Sequence, residues 1–267
     1  MSVLDSLDSK YRVILCDIWG VVHDGVSLYA GAADRLRQWR DEGRCVVLIT
    51  NAPRTAGEVD AQLARIGLPR EAYDFVETGG EAGIEGLRAL AEPVGFIGTH
   101  ADRAVLEGRG IPIATDEDFD NLACTGLSEE RPNTGQYSEQ LKKFAARAVI
   151  MHCLNPDRVV VRGGVTEPCA GALADIYQAL GGSVVWYGKP HAAIYEHALR
   201  RAGRPRPEQV LAIGDGLQTD MLGAARQGVD AIFVTGGIHA GEEFPATFAA
   251  DHALGAWRPV AVVDSLA

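Results

Sequence analysis

The chain has 267 residues, and its 36 acidic residues against 25 basic residues give a net charge of -11. This length suffices for one large or two moderate hydrophobic cores, and the negative charge argues against a nucleic-acid partner. The five cysteines are odd in number and show no C-x-x-C spacing, so we expect neither a disulfide framework nor a structural zinc site. No apolar segment has the length of a signal-peptide core or a membrane span, which predicts a cytoplasmic protein without a membrane partner.

Apolar strands alternate with amphipathic helices over the first 78 residues. One apolar run ends at Asp17, just before a turn at Gly20, and a second apolar run at residues 45–49 ends at Thr50. Each run is followed by apolar residues at helical spacing. This alternation is typical of a parallel sheet, and a carboxylate where a buried strand ends lies where such sheets hold their active sites.

The alternation starts again in the middle of the chain with its own set of elements. Helices are predicted at residues 81–90 and 170–180, strands at 94–97, 148–151 and 159–161, and a polar surface loop at 128–135. From residue 186 the first pattern resumes, with a helix at 191–202, strands at 210–213 and 231–234, a loop at 214–220 between them, and a short apolar run at 260–263.

These patterns predict an α/β protein with a doubly wound parallel-sheet core of residues 1–78 and 186–267. Residues 79–185 are predicted to form a second α/β domain inserted into that core.

Polar side chains in four separate loops suggest a shared chemistry. They belong to Asp17, Thr50, Lys189, and the pair Asp215 and Asp220. Carboxylates from different strands can hold Mg²⁺, while an ammonium group and a hydroxyl can bind phosphate oxygens. Such a set suits phosphoryl transfer, in which positioning and charge neutralisation supply most of the catalysis. Taken singly, each residue also fits an ordinary role, such as a turn, a helix start or a surface lysine, so the hypothesis depends on their joint order.

In that order the motifs resemble the four signatures of the haloacid dehalogenase (HAD) superfamily. They are Asp17-Ile18-Trp19-Gly20-Val21, Thr50-Asn51, Lys189, and Gly214-Asp215 with Thr219-Asp220. The long insertion between the second and third motifs resembles the class IIA branch, which includes 4-nitrophenyl phosphate, pyridoxal phosphate, phosphoglycolate and nucleotide or sugar phosphatases. The resemblance therefore implies a HAD-like core with an inserted α/β cap domain.

The resemblance also implies a mechanism. Asp17 would attack the phosphorus of a small-molecule phosphate monoester and form an aspartyl-phosphate that water hydrolyses. Mg²⁺ would be bound by Asp17, Asp215 and the backbone carbonyl of Trp19. Asp220 would not bind the ion directly but would lie next to these ligands. The inserted domain would select the leaving group, and a homodimer is a further expectation from this branch.

The remaining motif residues would bind the substrate. The resemblance implies that Thr50 and Lys189 bind the phosphoryl group as catalytic residues and that Asn51 lies next to it as a substrate-binding residue. We expect the indole of Trp19 to shape the substrate pocket, because an aromatic ring beside a charged site is unusual.

Trp19 is the departure from the family pattern. Most family phosphatases have a second aspartate here, which protonates the leaving oxygen and activates water, and an indole has no proton to exchange near neutral pH. Losing such a group commonly costs ~10²- to 10⁴-fold in rate. Three hypotheses follow: a phosphatase of low turnover, with a good leaving group or with His23 or Asp24 as substitute acid; a phosphoryl-ligand binding or sensor protein; and a dehalogenase-type hydrolase, which the retention of Asp215 and Asp220 argues against.

Overall fold

The computed structural model of the protein describes residues 3–162, 165–236 and 244–267. The chain divides into two compact units. The first consists of Met1–Thr50, Ala56–Glu77 and Lys189–Ala267, and the second of Asn51–Thr55 and Thr78–Gly188.

The strands and helices alternate along most of the chain. The strands are β1 (Val13–Asp17), β2 (Cys45–Thr50), β3 (Phe75–Thr78), β4 (Gly95–Ile97), β5 (Asn121–Cys124), β6 (Ile150–Cys153), β7 (Val159–Arg162), β8 (Val165–Pro168), β9 (Ser183–Trp186), β10 (Val210–Gly214), β11 (Asp230–Val234) and β12 (Ala261–Val263). The helices are α1 (Ala32–Asp41), α2 (Ala56–Ile66), α3 (Gly79–Arg88), α4 (His100–Gly108), α5 (Ser138–Ala146), α6 (Ala170–Ala179), α7 (Ala192–Arg201), α8 (Leu222–Gln227) and α9 (Phe248–Asp251).

The first unit is built on a six-stranded sheet with the strand order β12-β11-β10-β1-β2-β3. β1 pairs in parallel with both β2 and β10, and all five of its residues are buried. A central strand that is covered on both faces must be apolar along its whole length, which explains the unbroken apolar run before Asp17. Because β1, β2 and β10 are parallel neighbours, the side chains that follow them lie at one edge of the sheet.

The second unit has a parallel sheet of its own, in the order β4-β5-β6-β9, and a separate antiparallel pair of β7 and β8. Its core contains large side chains from the sheet and from the flanking helices, including Leu122, Tyr137, Phe144, Met151 and Tyr177. The second unit therefore has its own apolar core, formed where its helices pack against its sheet.

The predicted fold class is confirmed: the chain has a doubly wound, parallel α/β sheet. Among the described residues, no helix is both long and apolar enough to cross a membrane. All five cysteines are free, and each except Cys45 is buried.

Some elements differ from the prediction. α4 was not predicted, and Leu106 is its single buried residue. Thr134–Tyr137 form a short 3-10 turn that begins in the predicted loop and extends two residues beyond it. Leu217–Met221 forms a π-helical turn where a loop was predicted. Trp186, where the core was predicted to resume, is the last residue of β9 and pairs with Cys153.

Candidate active site

The five charged or hydroxylic residues singled out in the sequence are all buried in the first unit. Asp17 is the last residue of β1, Thr50 is the last residue of β2, and Asp215 directly follows β10. Lys189 precedes α7, and Asp220 lies in the π-helical turn before α8. Each is at most 7% exposed.

The ammonium group of Lys189 connects two of the carboxylates. Lys189 Nζ donates to Asp17 Oδ1 at 2.6 Å and to Asp220 Oδ1 at 2.8 Å. The described residues donate no hydrogen bond to the other oxygen of the nucleophile candidate, Asp17 Oδ2. Lys189 therefore orients the Asp17 carboxylate by one oxygen and leaves the second available for chemistry.

Asp220 is held by three donors. Besides Lys189, the backbone amide of Gly216 and the hydroxyl of Thr219 both donate to Asp220 Oδ2, each at 3.2 Å. A Cβ at Gly214 would stand only 2.2 Å from Asp220 Cγ, so a glycine is needed where β10 ends. These contacts fix Asp220 as an orienting partner for the ammonium group.

Asp215 is packed against the turn that follows the first strand. A Cβ at Gly20 would stand 2.0 Å from Asp215 Oδ2, and Gly20 has a φ of +79°. Only glycine fits this combination of left-handed backbone and close approach. The turn after β1 therefore lies directly against the carboxylate of Asp215. From the sequence, Gly20 was predicted only to form a turn.

The three carboxylates form a single cluster. One oxygen from each of Asp17, Asp215 and Asp220 lies within 4.8 Å of the other two. Burial, followed by the negative charges of Asp220 and Asp215, holds the pKa of Asp17 well above its usual range, although Lys189 opposes this. Burial alone would lower the pKa of Lys189, but the charges of Asp17 and Asp220 outweigh it and raise that pKa.

This donor set suits a hard divalent cation. Together with Lys189, the ionised cluster carries a net charge of -2 in a buried place. Buried charge of one sign is costly unless it is paired or coordinates a metal, and carboxylate oxygens are the ligands that Mg²⁺ prefers. The residues present therefore fit Mg²⁺.

Over residues 11–228, the chain matches the family of haloacid dehalogenase-like hydrolases. The chain belongs to this family. It is similar to a hydrolase of the haloacid dehalogenase-like family from Brucella suis 1330, with a TM-score of 0.85, 35% sequence identity, and coverage of 99% of this chain and 98% of that chain.

Two other relatives carry phosphatase names. The ribonucleotide monophosphatase NagD of Escherichia coli K12 is 29% identical over 231 residues, which are 84% of this chain and 88% of the relative. A glycerol phosphate phosphatase of Mycobacterium tuberculosis, solved in complex with magnesium, shares the fold with a TM-score of 0.74 and 24% identity, covering 99% of this chain and 77% of that chain. The class IIA branch inferred from the sequence is thereby confirmed.

In this haloacid dehalogenase-like hydrolase, the backbone of Trp19 is compatible with its predicted role. The hydrogen bonds that flank Trp19 run from the His23 amide to the Ile18 carbonyl and from the Gly20 amide to the His23 carbonyl, at 3.2 Å and 3.0 Å. The Trp19 carbonyl takes part in neither bond. A cation ligand at this carbonyl stays a prediction.

The two side chains considered as substitute acids have structural roles in the hydrolase. His23 is 1% exposed, and its Nδ1 accepts the Gly25 amide at 2.8 Å. Asp24 Oδ1 accepts the amides of Val26 and Ser27 at 2.9 Å and 2.8 Å, and these backbone hydrogen bonds lower the pKa of Asp24. Both groups therefore hold the turn together, and a role for either of them as the substitute acid stays a prediction.

Asn51 has a partner that the sequence did not reveal. Its Nδ2 donates to Asp157 Oδ1 at 2.8 Å, and a Cβ at Gly188 would stand 2.6 Å from Asn51 Oδ1. The side chain thus packs within the second unit, and its predicted contact with substrate stays a prediction.

Proposed function

We propose that the protein is a Mg²⁺-dependent hydrolase of small-molecule phosphate monoesters with Asp17 as its nucleophile. One observation carries the proposal: the buried carboxylates of Asp17, Asp215 and Asp220 converge within 4.8 Å, with Lys189 bonded to two of them. A divalent cation would neutralise the net charge of this cluster, and the phosphoryl group of a substrate would complete its ligand sphere. The phosphatase names of the relatives support the same reaction.

The residues of this chain would carry two displacement steps. In the first, a carboxylate oxygen of Asp17 attacks phosphorus, the bond from phosphorus to the ester oxygen breaks, and its electron pair leaves with that oxygen. In the second, water attacks the aspartyl-phosphate and the bond between phosphorus and Asp17 breaks, which restores the carboxylate. Mg²⁺ held by Asp17, Asp215 and the Trp19 carbonyl would supply charge neutralisation, while Lys189 and Thr50 would bind phosphoryl oxygens.

The rest of the molecule has proposed roles as well. We assign the second unit the role of a cap that selects the leaving group, with its boundaries as the two compact units define them. A cytoplasmic location and a homodimer stay predictions.

The test is an assay of phosphate release from a panel of phosphate monoesters, with Mg²⁺ and with a chelator. We expect turnover that needs Mg²⁺ and that falls at least ~10³-fold in Asp17→Asn, because the amide is no nucleophile. Asp34→Asn changes an exposed aspartate of α1 and serves as the control that keeps full activity. Turnover that persists in Asp17→Asn would disprove the assignment of the nucleophile.

A phosphoryl-ligand binding or sensor protein is the second candidate, because the indole of Trp19 has no group that titrates near neutral pH and His23 and Asp24 hold the turn. Calorimetric titration with inorganic phosphate in the presence of Mg²⁺ separates the two candidates. Binding without turnover of any ester in the panel would support the sensor and exclude the hydrolase.

A further inference from the structure

The indole of Trp19 is a partly exposed aromatic surface on the turn that directly follows the Asp17 strand. Its neighbour Ile18 is 1% exposed, whereas Trp19 is 39% exposed. The next residue, Gly20, lies directly against the carboxylate of Asp215. The backbone that carries the indole is therefore fixed both by the Asp17 strand and by Asp215.

The turn that follows supports the indole from two sides. The ring of His23 meets it edge to face, with 5.2 Å between the ring centroids and an interplanar angle of 71°. A Cβ at Gly25, whose φ is +95°, would stand 2.3 Å from Trp19 Cη2, so the bare glycine backbone lies against the six-membered ring. The indole is thus held in place before any ligand arrives.

The position two residues after Asp17, where most family phosphatases have a second aspartate, carries an indole and no acid. His23 and Asp24 are bound into the turn, as described above. Burial together with the negative charges of Asp24 and Asp215 raises the pKa of the Tyr29 phenol, which makes it a weaker acid than an ordinary tyrosine. Trp19 itself supplies no proton to a leaving group. An ester oxygen that departs beside the indole without help from another acid would leave as an anion.

We propose that the substrates are phosphate monoesters of planar aromatic alcohols, and that the exposed indole of Trp19 is the platform on which the leaving ring lies. The inference rests on the proposed function, since it specifies the leaving group of that reaction. A phenolic oxygen spreads its negative charge into the ring, so it can depart without a proton from the protein. The ring gains an offset-stacked or edge-to-face contact with the indole. When Asp17 attacks, the electron pair of the broken bond to phosphorus stays on the phenolate, and solvent protonates it later.

Two series of substrates separate the acidity of the leaving group from its shape. The first series runs from 4-nitrophenyl phosphate through phenyl phosphate to glycerol phosphate, in order of decreasing acidity of the alcohol. The wild-type enzyme should lose more than ~10²-fold in kcat/KM along this series, because no acid assists the poorer leaving groups. Trp19→Asp supplies a carboxyl group. In this variant the ratio of kcat/KM for 4-nitrophenyl phosphate to kcat/KM for glycerol phosphate should be at least ~10-fold smaller than in wild type.

The second comparison sets phenyl and 4-nitrophenyl phosphate against acetyl phosphate, whose leaving group is acidic but not aromatic. Trp19→Leu should raise KM for the aryl esters roughly three- to tenfold and leave KM for acetyl phosphate unchanged, whereas Trp19→Phe should stay near the wild-type value for both. Circular dichroism of each variant checks that it is folded. An equal rise in KM for acetyl phosphate would show that Trp19 only maintains the site.

Three further results would overturn the inference. The wild-type enzyme could hydrolyse glycerol phosphate as fast as phenyl phosphate. Alternatively, Tyr29→Phe or Asp24→Asn could slow glycerol phosphate far more than 4-nitrophenyl phosphate, which would identify that residue as the missing acid. Failure of the proposed function looks different, because then neither the phosphate esters nor acetyl phosphate, which is a mixed anhydride, would be hydrolysed in a Mg²⁺-dependent manner.

Discussion

The two parallel sheets of the molecule bury polar groups in different ways. At the edge of the first sheet, Lys189 lies among three carboxylates, and the four charged groups do not cancel. The second sheet buries His152, which bonds Asn121 Oδ1 through Nε2 at 2.8 Å and the Tyr187 hydroxyl through Nδ1 at 2.9 Å. Asn121 Nδ2 in turn donates to Glu92 Oε1 at 2.6 Å.

The difference shows which of the two polar groupings needs a ligand. Burial lowers the pKa of His152 to about 4, so its ring is neutral and both of its nitrogens have partners at neutral pH. A neutral network with satisfied hydrogen bonds stabilises a fold without further help. A charged cluster with excess negative charge is costly alone and becomes favourable when a cation binds.

Removing the ammonium group should have the largest effect on stability. Lys189→Met leaves three buried carboxylates without their central counter-charge, and we expect a loss of roughly 3–5 kcal/mol in the free energy of unfolding, together with loss of activity. Urea denaturation measures it. Lys10→Met is the matched control, because Lys10 pairs with Asp230 in an exposed place, and it should change little. Equal losses in the free energy of unfolding in Lys189→Met and Lys10→Met would show that the charged cluster depends on Lys189 no more than an exposed ion pair does on its lysine.

A methyl group at residue 20 should disturb the charged edge in two ways. Gly20→Ala forces an L-residue into a left-handed backbone and places its Cβ against Asp215. We therefore expect a loss of roughly 2–4 kcal/mol in the free energy of unfolding, and turnover should need a higher Mg²⁺ concentration because a proposed ligand is displaced. Gly43→Ala is the control for backbone strain, because Gly43 has a φ of +86° but no atom within 4 Å of its Cβ position. If both variants lose the same stability and keep the same metal response, the contact with Asp215 has no importance.

The neutral network should be sensitive to acid. The native pKa of His152 is about 4, below the ordinary value of 6.5, so below pH 6.5 the unfolded chain binds a proton that the folded chain does not. Stability should therefore fall as the pH drops from 6.5 towards 4, by about 2 kcal/mol from this residue. Melting temperatures across this range should fall less steeply in His152→Gln than in wild type. Parallel pH profiles would exclude His152 as a source of the loss.

Deleting one hydroxyl from the network should have the smallest effect. Tyr187→Phe removes the donor to His152 Nδ1, and we expect a loss of about 1 kcal/mol in the free energy of unfolding. Its activity towards phosphate esters should match wild type. Tyr73→Phe removes a part-buried hydroxyl that donates to Asp60 in the first unit and provides the comparison. A loss of activity in Tyr187→Phe alone would show that the second network also serves the reaction.

The main features of the site could be predicted from the sequence because they follow from strand ends. Asp17 and Thr50 end apolar runs, Asp215 follows a third run, and parallel neighbouring strands bring their ends to one edge. The support of Trp19 by Gly25 could not be predicted, because it depends on backbone geometry within an irregular turn. The bond of Asn51 to Asp157 joins residues far apart in sequence, and no periodic pattern signals such a contact.

The π-helical turn before α8 fixes the number of residues in the segment that carries Asp220. The Gly216 carbonyl accepts the amides of both Asp220 and Met221, at 2.9 Å and 3.0 Å, so this turn holds one residue more than an α-helical turn. Successive residues of an α-helix are rotated by about 100°, so a chain one residue shorter here would aim the carboxylate at residue 220 away from Lys189. Exposed Gln218 can vary in chemical type. The number of residues between Asp215 and Asp220 is therefore fixed. Substitutions in this segment are tolerated where the side chain is exposed, but an insertion or deletion would move the Asp220 carboxylate away from Lys189.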